Sequence, residues 1–333
     1  MLKVVSGTRP TGSVHLGNYL GAIVNYVKMQ EAGHENYFFI ADYHALTTHP
    51  DPNELAPNVY RTLATYLAAG LDPEKCHIYL QSDLPQIPEL YLLLNMFAYK
   101  GELEKVPTFK EKVRAKGQTV NAGLLTYPVL MAADIIIHRA SHVPVGKDQE
   151  QHLEMTRNFA KRFNHVVGNE FFPEPVAYNF DNALLKVPSL DGSGKMSKSN
   201  NNPNSAIYLT DSDDVIIKKM KKAKTSTGPE AKNEDIPEEI ENLFALMDLV
   251  SDKNVKEQFV TSWNNCSIRF GDLKMQIAED IIKLVKPIRE KINDFSADKK
   301  LLKEVTNHGG KHARKNADET LRGVRELLGF NYF

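Results

Sequence analysis

Cysteine is almost missing from this 333-residue chain. Cys76 and Cys266 are its two cysteines, they stand far apart, and they form no CxxC pair. That excludes a cysteine-rich zinc site and an iron–sulfur cluster. Two free thiols in a reducing compartment is the reading that remains. Long apolar runs are missing as well. No stretch reaches the roughly 18 residues of a membrane span. The opening MLKVVSG lacks a charged segment followed by an apolar one, so no secretory signal is expected. The expectation is a soluble, cytoplasmic protein without a membrane partner. An excess of one charge is the third absence, because 41 Lys and Arg face 42 Asp and Glu for a net charge of -1. Any nucleic-acid site must therefore be a local patch. No internal repeat is present either. What is present suits an ordinary globular protein: 42% hydrophobic residues supply sizeable cores, and the length suits two domains.

The first two thirds of the chain alternates strand and helix patterns. LKVVSG at 2–7 and NYFFIAD at 36–42 read as buried strands, and HIYLQSD at 77–83 as a third. Between them, Leu20, Ile23, Val24 and Val27 repeat at helical spacing from a start near Gly17, with Gly33 as the stop. DPNELAPNVYRTLATYLAAG opens with Asp51 as N-cap and Pro52 at the first helical position, and Gly70 closes it. A helical stretch follows around Pro88–Tyr99. A short strand at 142–146 leads into a helix that carries His152, Met155, Phe159 and Phe163 on one face. This rhythm predicts a parallel sheet covered on both sides, with ligands at the carboxyl ends of the strands. After about Lys186 the segment SLDGSGKMSKSNNNPNS reads as an exposed loop. Beyond it only helical patterns appear: Leu243 to Val250, a longer helix from Leu273 to Ile288 bent at Pro287, and a last one from Leu321 to Leu328 closed by Gly329. The expected layout is an α/β nucleotide-binding domain over 1–200 and an all-α domain over 201–333, whose last helix packs back on the first.

Two segments carry chemistry. In SGTRPTGSVHLGNYLGA at 6–22 a strand runs through a glycine-bearing turn into a helix. Gly17 has no Cβ, so a purine can lie against the backbone there. The helix N-terminus offers unpaired N–H groups suited to phosphate, and His15 and Asn18 add side-chain donors. The same turn with no ligand is the plainer alternative. In GKMSKS at 194–199, Lys195 and Lys198 stand three apart on a loop beside the hydroxyls of Ser197 and Ser199. Two ammonium groups on such a loop can neutralise the charge that grows on a departing pyrophosphate. A merely solvated basic loop is the alternative here.

Together, HLGN and KMSKS resemble the paired signatures of class I aminoacyl-tRNA synthetases, and their separation suits the smallest members, those for tryptophan and tyrosine. GNYLGA at 17–22, FKEK at 109–112, GLLTYPVLMAADI at 123–135 and VPVGKDQEQHLEMTRNFAKRFN at 143–164 are similar to the bacterial tryptophan branch in particular. The resemblance runs nearly end to end and is strongest over 1–200. It implies a Rossmann-type sheet, a helical anticodon-binding domain and a symmetric homodimer. It also implies ATP with Mg²⁺, L-tryptophan and tRNA(Trp) as reactants. By position, Arg9, Pro10, Thr11, Gly17 and Asn18 would line the ATP site. Gly146, Lys147 and Asp148 would lie near the ribose, Val187 near the adenine, and Lys195, Met196, Ser197, Lys198 and Ser199 on the phosphates. Lys195, Lys198, His15 and Asn18 would be the catalytic group, with no resident metal. Asp134, Tyr127, Met131 and Gln149, with Val5, Gly7 and His44, would line the amino-acid pocket. Three positions depart from well-known bacterial relatives, where Arg9 is often Gln, Lys147 often Glu and Asn200 often Asp, so the detailed ATP contacts are less fixed than the location of the site.

The tyrosine enzymes are the nearest rival, because they can also place an acid at the position of Asp134. They usually place a Tyr on the first strand where this chain has Val5, and valine offers a phenol no partner while leaving room for an indole. Indole has one polar atom, an N–H donor, and needs one acceptor. Asp134, set within the apolar YPVLMAADIII, suits that need better than it suits a surface role, since an unpaired buried carboxylate is costly. His44 reads equally as a pocket residue or a satisfied core histidine, and Gln149 as an amino-group ligand or a helix cap. Two basic runs, Lys218, Lys219, Lys221, Lys222, Lys224 and Lys311, Arg314, Lys315, Arg322, Arg325, can meet RNA phosphates or simply solvate helix faces. A nucleotidyltransferase that uses no tRNA and a non-enzymatic tryptophan sensor are the other readings. The long helical C-terminal part opposes the first, and the presence of His15, Lys195 and Lys198 opposes the second.

Overall fold

The computed structural model describes residues 1–48, 51–114, 120–144, 150–178, 186–197, 200, 202–330 and 332. Strand β1 (Lys3–Thr8) leads into helix α1 (Leu16–Asn18), which continues through a π-helical stretch, Tyr19–Ile23, into α2 (Val24–Glu31). Then come β2 (Glu35–Ile40), α3 (Asp42–Ala45), α4 (Pro52–Ala68), β3 (His77–Leu80), α5 (Gln86–Asn95), α6 (Lys100–Leu103) and α7 (Pro107–Arg114). The α/β part closes with α8 (Ala122–Ile136), β4 (His142–Val143), α9 (Glu150–Val167) and β5 (Val176–Ala177). The rest is helical: α10 (Asp213–Lys221), α11 (Glu238–Val250), α12 (Lys253–Asn264), α13 (Phe270–Ala297) and α14 (Lys299–Leu327).

Among the described residues one five-stranded sheet forms, in the order β3-β2-β1-β4-β5, and every pairing is parallel. Parallel strands are buried on both faces, and alternate residues divide between two cores as a period of two requires. Val4, Phe38, Ile40 and Ile78 face one core; Val5, Tyr37, Phe39 and Tyr79 face the other. Helix α13 packs on α4 in the first core, while α8 and α9 fill the second and α14 lies across β3 and α5. The chain steps outward from β1 to β3 and then returns to the opposite side of β1. Among the described residues β1 and β4 pair through Val4 and His142, and the strand order reverses between them. In doubly wound sheets the carboxyl side of such a switch point is where ligands bind.

Several elements differ from the sequence expectation. The third strand stops at Leu80, where the Asp83 carboxylate accepts from the Leu80 N–H at 3.1 Å and turns Gln81–Asp83 into a 3-10 helix. β5 was not expected; two residues are too few to set a period. α13 reaches beyond the expected Leu273–Ile288, from Phe270 to Ala297, with Pro287 inside it. α14 begins at Lys299, some twenty residues before the expected helix, and Gly329 at φ 75° follows its end.

Candidate active site

Asp134, on α8, is fully buried. The cap of α8 fixes its position: Asn121 accepts from the Leu124 N–H at 2.8 Å, and its amide donates to the Thr47 carbonyl at 3.2 Å, just beyond α3. Both carboxylate oxygens of Asp134 accept from Gln81 Nε2, at 2.8 and 2.9 Å. The same Nε2 lies 3.0 Å from His44 Nδ1, and the His44 N–H donates to Gln81 Oε1 at 3.3 Å. That backbone donor sets which way the Gln81 amide points. One of its hydrogens serves Asp134 and the other serves Nδ1, so His44 carries its proton on Nε2. Burial lowers the His44 pKa to about 4, against the hydrogen bond from Gln81 and with help from the nearby Arg9 charge. Burial likewise raises Asp134 well above the carboxylate range, opposed by Gln81. The 3.5 Å approach of His44 Nδ1 to Asp134 is therefore not an ion pair, because burial disfavours charge on both groups.

Tyr127, Met131 and Asp134 recur at i, i+4 and i+7 and share one face of α8. The Tyr127 hydroxyl meets His152 Nε2 of α9 at 2.5 Å, and its backbone hydrogen-bonds His44. Val5 is wholly buried on the side of β1 that faces the core containing α8. Gly7 is needed for packing, since a Cβ there would overlap the Phe39 ring. Among the described residues Tyr127 and Met131 share the α8 face of Asp134 and His44 Nδ1 approaches it at 3.5 Å, while Val5 and Gly7 lie on β1, against which α8 packs. Gln149 lies outside the described residues. Gln81 is absent from the sequence expectation, which places it inside the strand pattern at 77–83; its signal is a polar residue where an apolar strand meets the sheet's carboxyl edge.

The two signature segments are also brought together. The Leu16 N–H donates to the Ile207 carbonyl at 2.8 Å and the Leu209 N–H to Val14 at 2.9 Å, which joins the first motif to the chain just past the lysine loop. His15 is buried and caps α1, its Nδ1 accepting from the Asn18 N–H at 3.2 Å. A Cβ on Gly17 would stand 3.4 Å from Met196 Cβ. Met196 donates its N–H to the buried Val187 at 2.8 Å. Arg9, Pro10 and Thr11 form the turn after β1, closed by the Thr11 N–H on the Arg9 carbonyl at 2.9 Å. Lys195 is exposed and Ser197 half-buried. Gly146, Lys147, Asp148, Lys198 and Ser199 lie outside the described residues.

The basic runs need correction. Lys219 is buried, bonded to Asp211 at 2.6 Å and to the Ala206 carbonyl at 2.9 Å, so it is no phosphate ligand. Lys224 pairs with Glu239 at 3.0 Å. Lys218, Lys221 and Lys222 remain exposed. In the second run Arg314 donates to the Asp83 carbonyl at 3.1 Å, and Arg325 grips Glu89 at 2.6 and 2.7 Å; both hold α14 to the sheet domain.

The model of the class I tRNA synthetases for W and Y matches residues 1–286. The tryptophan–tRNA ligase of Porphyromonas gingivalis is 54% identical over 330 residues, which span 99% of this chain and 100% of that one. That of Helicobacter pylori is 39% identical over 331 residues, 98% of each. Among solved structures, the tryptophanyl-tRNA synthetase of Campylobacter jejuni complexed with ADP and tryptophan superposes with a TM-score of 0.86 at 35% identity, over 98% of this chain and 100% of that one. The tyrosyl-tRNA synthetase of Aeropyrum pernix reaches a TM-score of 0.66 at 22% identity, over 92% and 89%, a likeness of fold alone.

Proposed function

The chain belongs to the class I tRNA synthetases of the tryptophan and tyrosine family, and from that premise we infer that it activates L-tryptophan with ATP and transfers it to tRNA. The observation that carries the choice of tryptophan is Asp134, a buried acceptor on the α8 face it shares with Tyr127 and Met131, together with Val5, rather than a hydroxyl-bearing residue, at its position on β1. A single acceptor is what one indole N–H needs. In our reading Tyr127, Met131, Gly7, His44 and Gln149 complete that pocket.

Activation is a displacement in which the tryptophan carboxylate attacks the α-phosphate and pyrophosphate leaves. A carboxylate is already nucleophilic, so the protein's task is to orient the reactants and stabilise charge. We assign Lys195 and Lys198 to the departing pyrophosphate. The turn Arg9–Pro10–Thr11, His15, Gly17 and Asn18 are assigned to the nucleotide. The Nδ1 cap of His15 leaves Nε2–H as its donor. Gly146, Lys147, Asp148 and Val187 would hold ribose and adenine. Mg²⁺ enters with ATP as part of the substrate. The 2′-hydroxyl of the terminal tRNA ribose then attacks the mixed anhydride and AMP leaves.

We further propose that residues 201–333 read the anticodon, that Lys218, Lys221 and Lys222 meet RNA phosphates, and that the enzyme works as a homodimer in the cytoplasm. Exposed Leu92 and Met96, one turn apart on α5 and at its end, and Tyr99 beyond them form an apolar stripe that a second copy would cover. No helix among the described residues is long and apolar enough to cross a membrane. ATP–pyrophosphate exchange across the twenty amino acids tests the central reading. Exchange should require tryptophan; exchange with tyrosine instead, or with none, overturns it.

A further inference from the structure

One lysine of the first basic run has a role other than RNA. Lys219, on α10, is buried, and its ammonium group carries three N–H donors. Its neighbours all lie in the segment 206–211 that precedes α10. Nζ donates to the Ala206 carbonyl at 2.9 Å and to Asp211 Oδ2 at 2.6 Å. It also stands over the Tyr208 ring, 4.8 Å from the centroid, within the range of a cation–π contact. The same Asp211 oxygen accepts from the Tyr208 N–H at 2.8 Å. One cation thus grips the segment at both ends and in the middle. Arg289 of α13 donates to Asp213 Oδ1 at 2.6 Å and to the Asp211 carbonyl, which ties the start of α10 to the helix beneath it.

The other edge of the segment meets the first signature. The two run antiparallel with His15 opposite Tyr208. The Leu16 N–H bonds to the Ile207 carbonyl and the Leu209 N–H to the Val14 carbonyl, so His15 is flanked by these bonds on both sides. The Tyr208 ring meets the imidazole at 76°, with centroids 6.3 Å apart. His15 therefore takes its backbone setting from a segment that Lys219 holds. Ile207, Leu209, Ile216 and Met220 belong to the core on one side of the sheet, and α8 with Asp134 packs into the core on the other. A change at Lys219 is thus felt at His15 before it is felt in the amino-acid pocket. Burying a cation costs desolvation that offsets much of its ion pair, so stability alone is a poor reason for a lysine at this position.

We propose that Lys219 is a positioning residue for the activation step inferred above: it fixes the segment that sets His15 against the nucleotide. The inference rests on that reading of the first motif. Lys219→Met keeps an unbranched side chain suited to burial and removes the charge. The kcat of tryptophan-dependent pyrophosphate exchange should fall about tenfold, with the KM for tryptophan unchanged. In a His15→Ala background the same substitution should cost less than about twofold more, because a residue that acts through His15 has nothing left to position. An unaltered kcat in Lys219→Met, whether or not tRNA binding weakens, overturns the proposal, and so do losses that multiply in the double variant. If Lys219→Met does not fold, Asp211→Asn decides: it keeps the shape and weakens the grip, and should lower kcat in the same direction with the same dependence on His15. The tautomer of His15 is a readout free of activity. In wild type its Nδ1 accepts from the Asn18 N–H. Long-range proton–nitrogen correlation spectra, assigned by the signal lost in His15→Ala, should therefore show the proton on Nε2 alone. Lys219→Met should show both tautomers, and a tautomer as pure as in wild type overturns the proposal. Wild type without tryptophan-dependent exchange removes the functional reading, and the His15 spectrum still decides whether Lys219 sets the ring.

Discussion

Gln81 does the work at the residue scale that makes Asp134 usable. A carboxyl group inside an apolar wall is costly unless donors meet it, and the Gln81 amide reaches both its oxygens while its own oxygen is held by the His44 backbone. Gln81→Met keeps the length and removes the donor. The catalytic efficiency for tryptophan should fall by roughly 10–10²-fold, since a buried group left unsatisfied costs about 1–3 kcal/mol. The KM for ATP should stay put. Steady-state exchange kinetics separate the two, and equal changes for both substrates would make Gln81 a general packing residue. A tryptophan analogue with sulfur in place of the indole N–H probes the acceptor itself. Wild type should prefer tryptophan by about 10²-fold or more, and Asp134→Ala should narrow that preference toward parity. A mutant that rejects the sulfur analogue as strongly as wild type would remove Asp134 as the indole partner. Asp134 was legible in the sequence because an acid interrupts an apolar run. Gln81 was not, because a strand-end glutamine looks the same whether it faces solvent or a buried carboxyl.

Periodicity made most of the elements legible: α9, α11 and α13 each show apolar residues at helical spacing, and most of those residues are buried, with Val250 and Leu284 partly so. α14 shows where that signal fails. Its buried stripe includes Thr306, Gly309, Gly310, Ala313, Ala317 and Thr320, small residues that carry almost no apolar pattern, and a glycine pair that reads as a helix stop. The reason for small residues is the close approach of α14 to β3, where a Cβ on Gly309 would overlap the backbone of Ile78. Gly309→Ala should therefore destabilise by about 2 kcal/mol or more, although alanine is the better helix former by about 1 kcal/mol. Gly271, in the first turn of α13, has open space around it, and Gly271→Ala should be neutral or stabilising by up to about 1 kcal/mol. Thermal unfolding of the two variants gives the comparison. Opposite signs are expected, and a Gly309→Ala protein as stable as Gly271→Ala would mean that α14 is free to lift from the sheet.

Over the whole molecule, the sheet's two cores are completed by the C-terminal helices, α13 with the start of α14 in one and the rest of α14 in the other, an arrangement that composition alone does not reveal because the contacts join residues more than a hundred positions apart. Leu92→Glu with Met96→Glu should shift the proposed dimer toward monomer in sedimentation equilibrium, and an unchanged mass would put the second copy elsewhere. His138 ties the whole together and offers a test with a definite sign. It is completely buried, stacks on Tyr37 of β2 with ring centroids 4.1 Å apart, meets the Tyr79 hydroxyl of β3 at 2.8 Å and Asn316 Oδ1 of α14 at 2.8 Å. An amide oxygen only accepts, so Nδ1 holds the proton and Nε2 accepts from Tyr79. Burial lowers the pKa of His138 to about 3, opposed by the bond to Asn316, whereas an unfolded histidine titrates near ~6.5. Between those values the unfolded chain binds the extra proton, so this contribution to stability is complete above about pH 6.5 and is lost as the pH falls through the window. The slope approaches one proton, about 1.4 kcal/mol per pH unit. His44 adds to that slope and Asp134, whose pKa is raised, opposes it, but both remain when only His138 is changed. His138→Gln removes the titration while leaving an amide to bond with Tyr79 and Asn316. Urea unfolding between about pH 5 and about pH 6 should show its stability falling less steeply with acid than wild type, by close to that one-proton slope. Parallel slopes in the two proteins would mean that His138 takes up its proton in the folded state, and that α14 is not held to the sheet by a neutral imidazole.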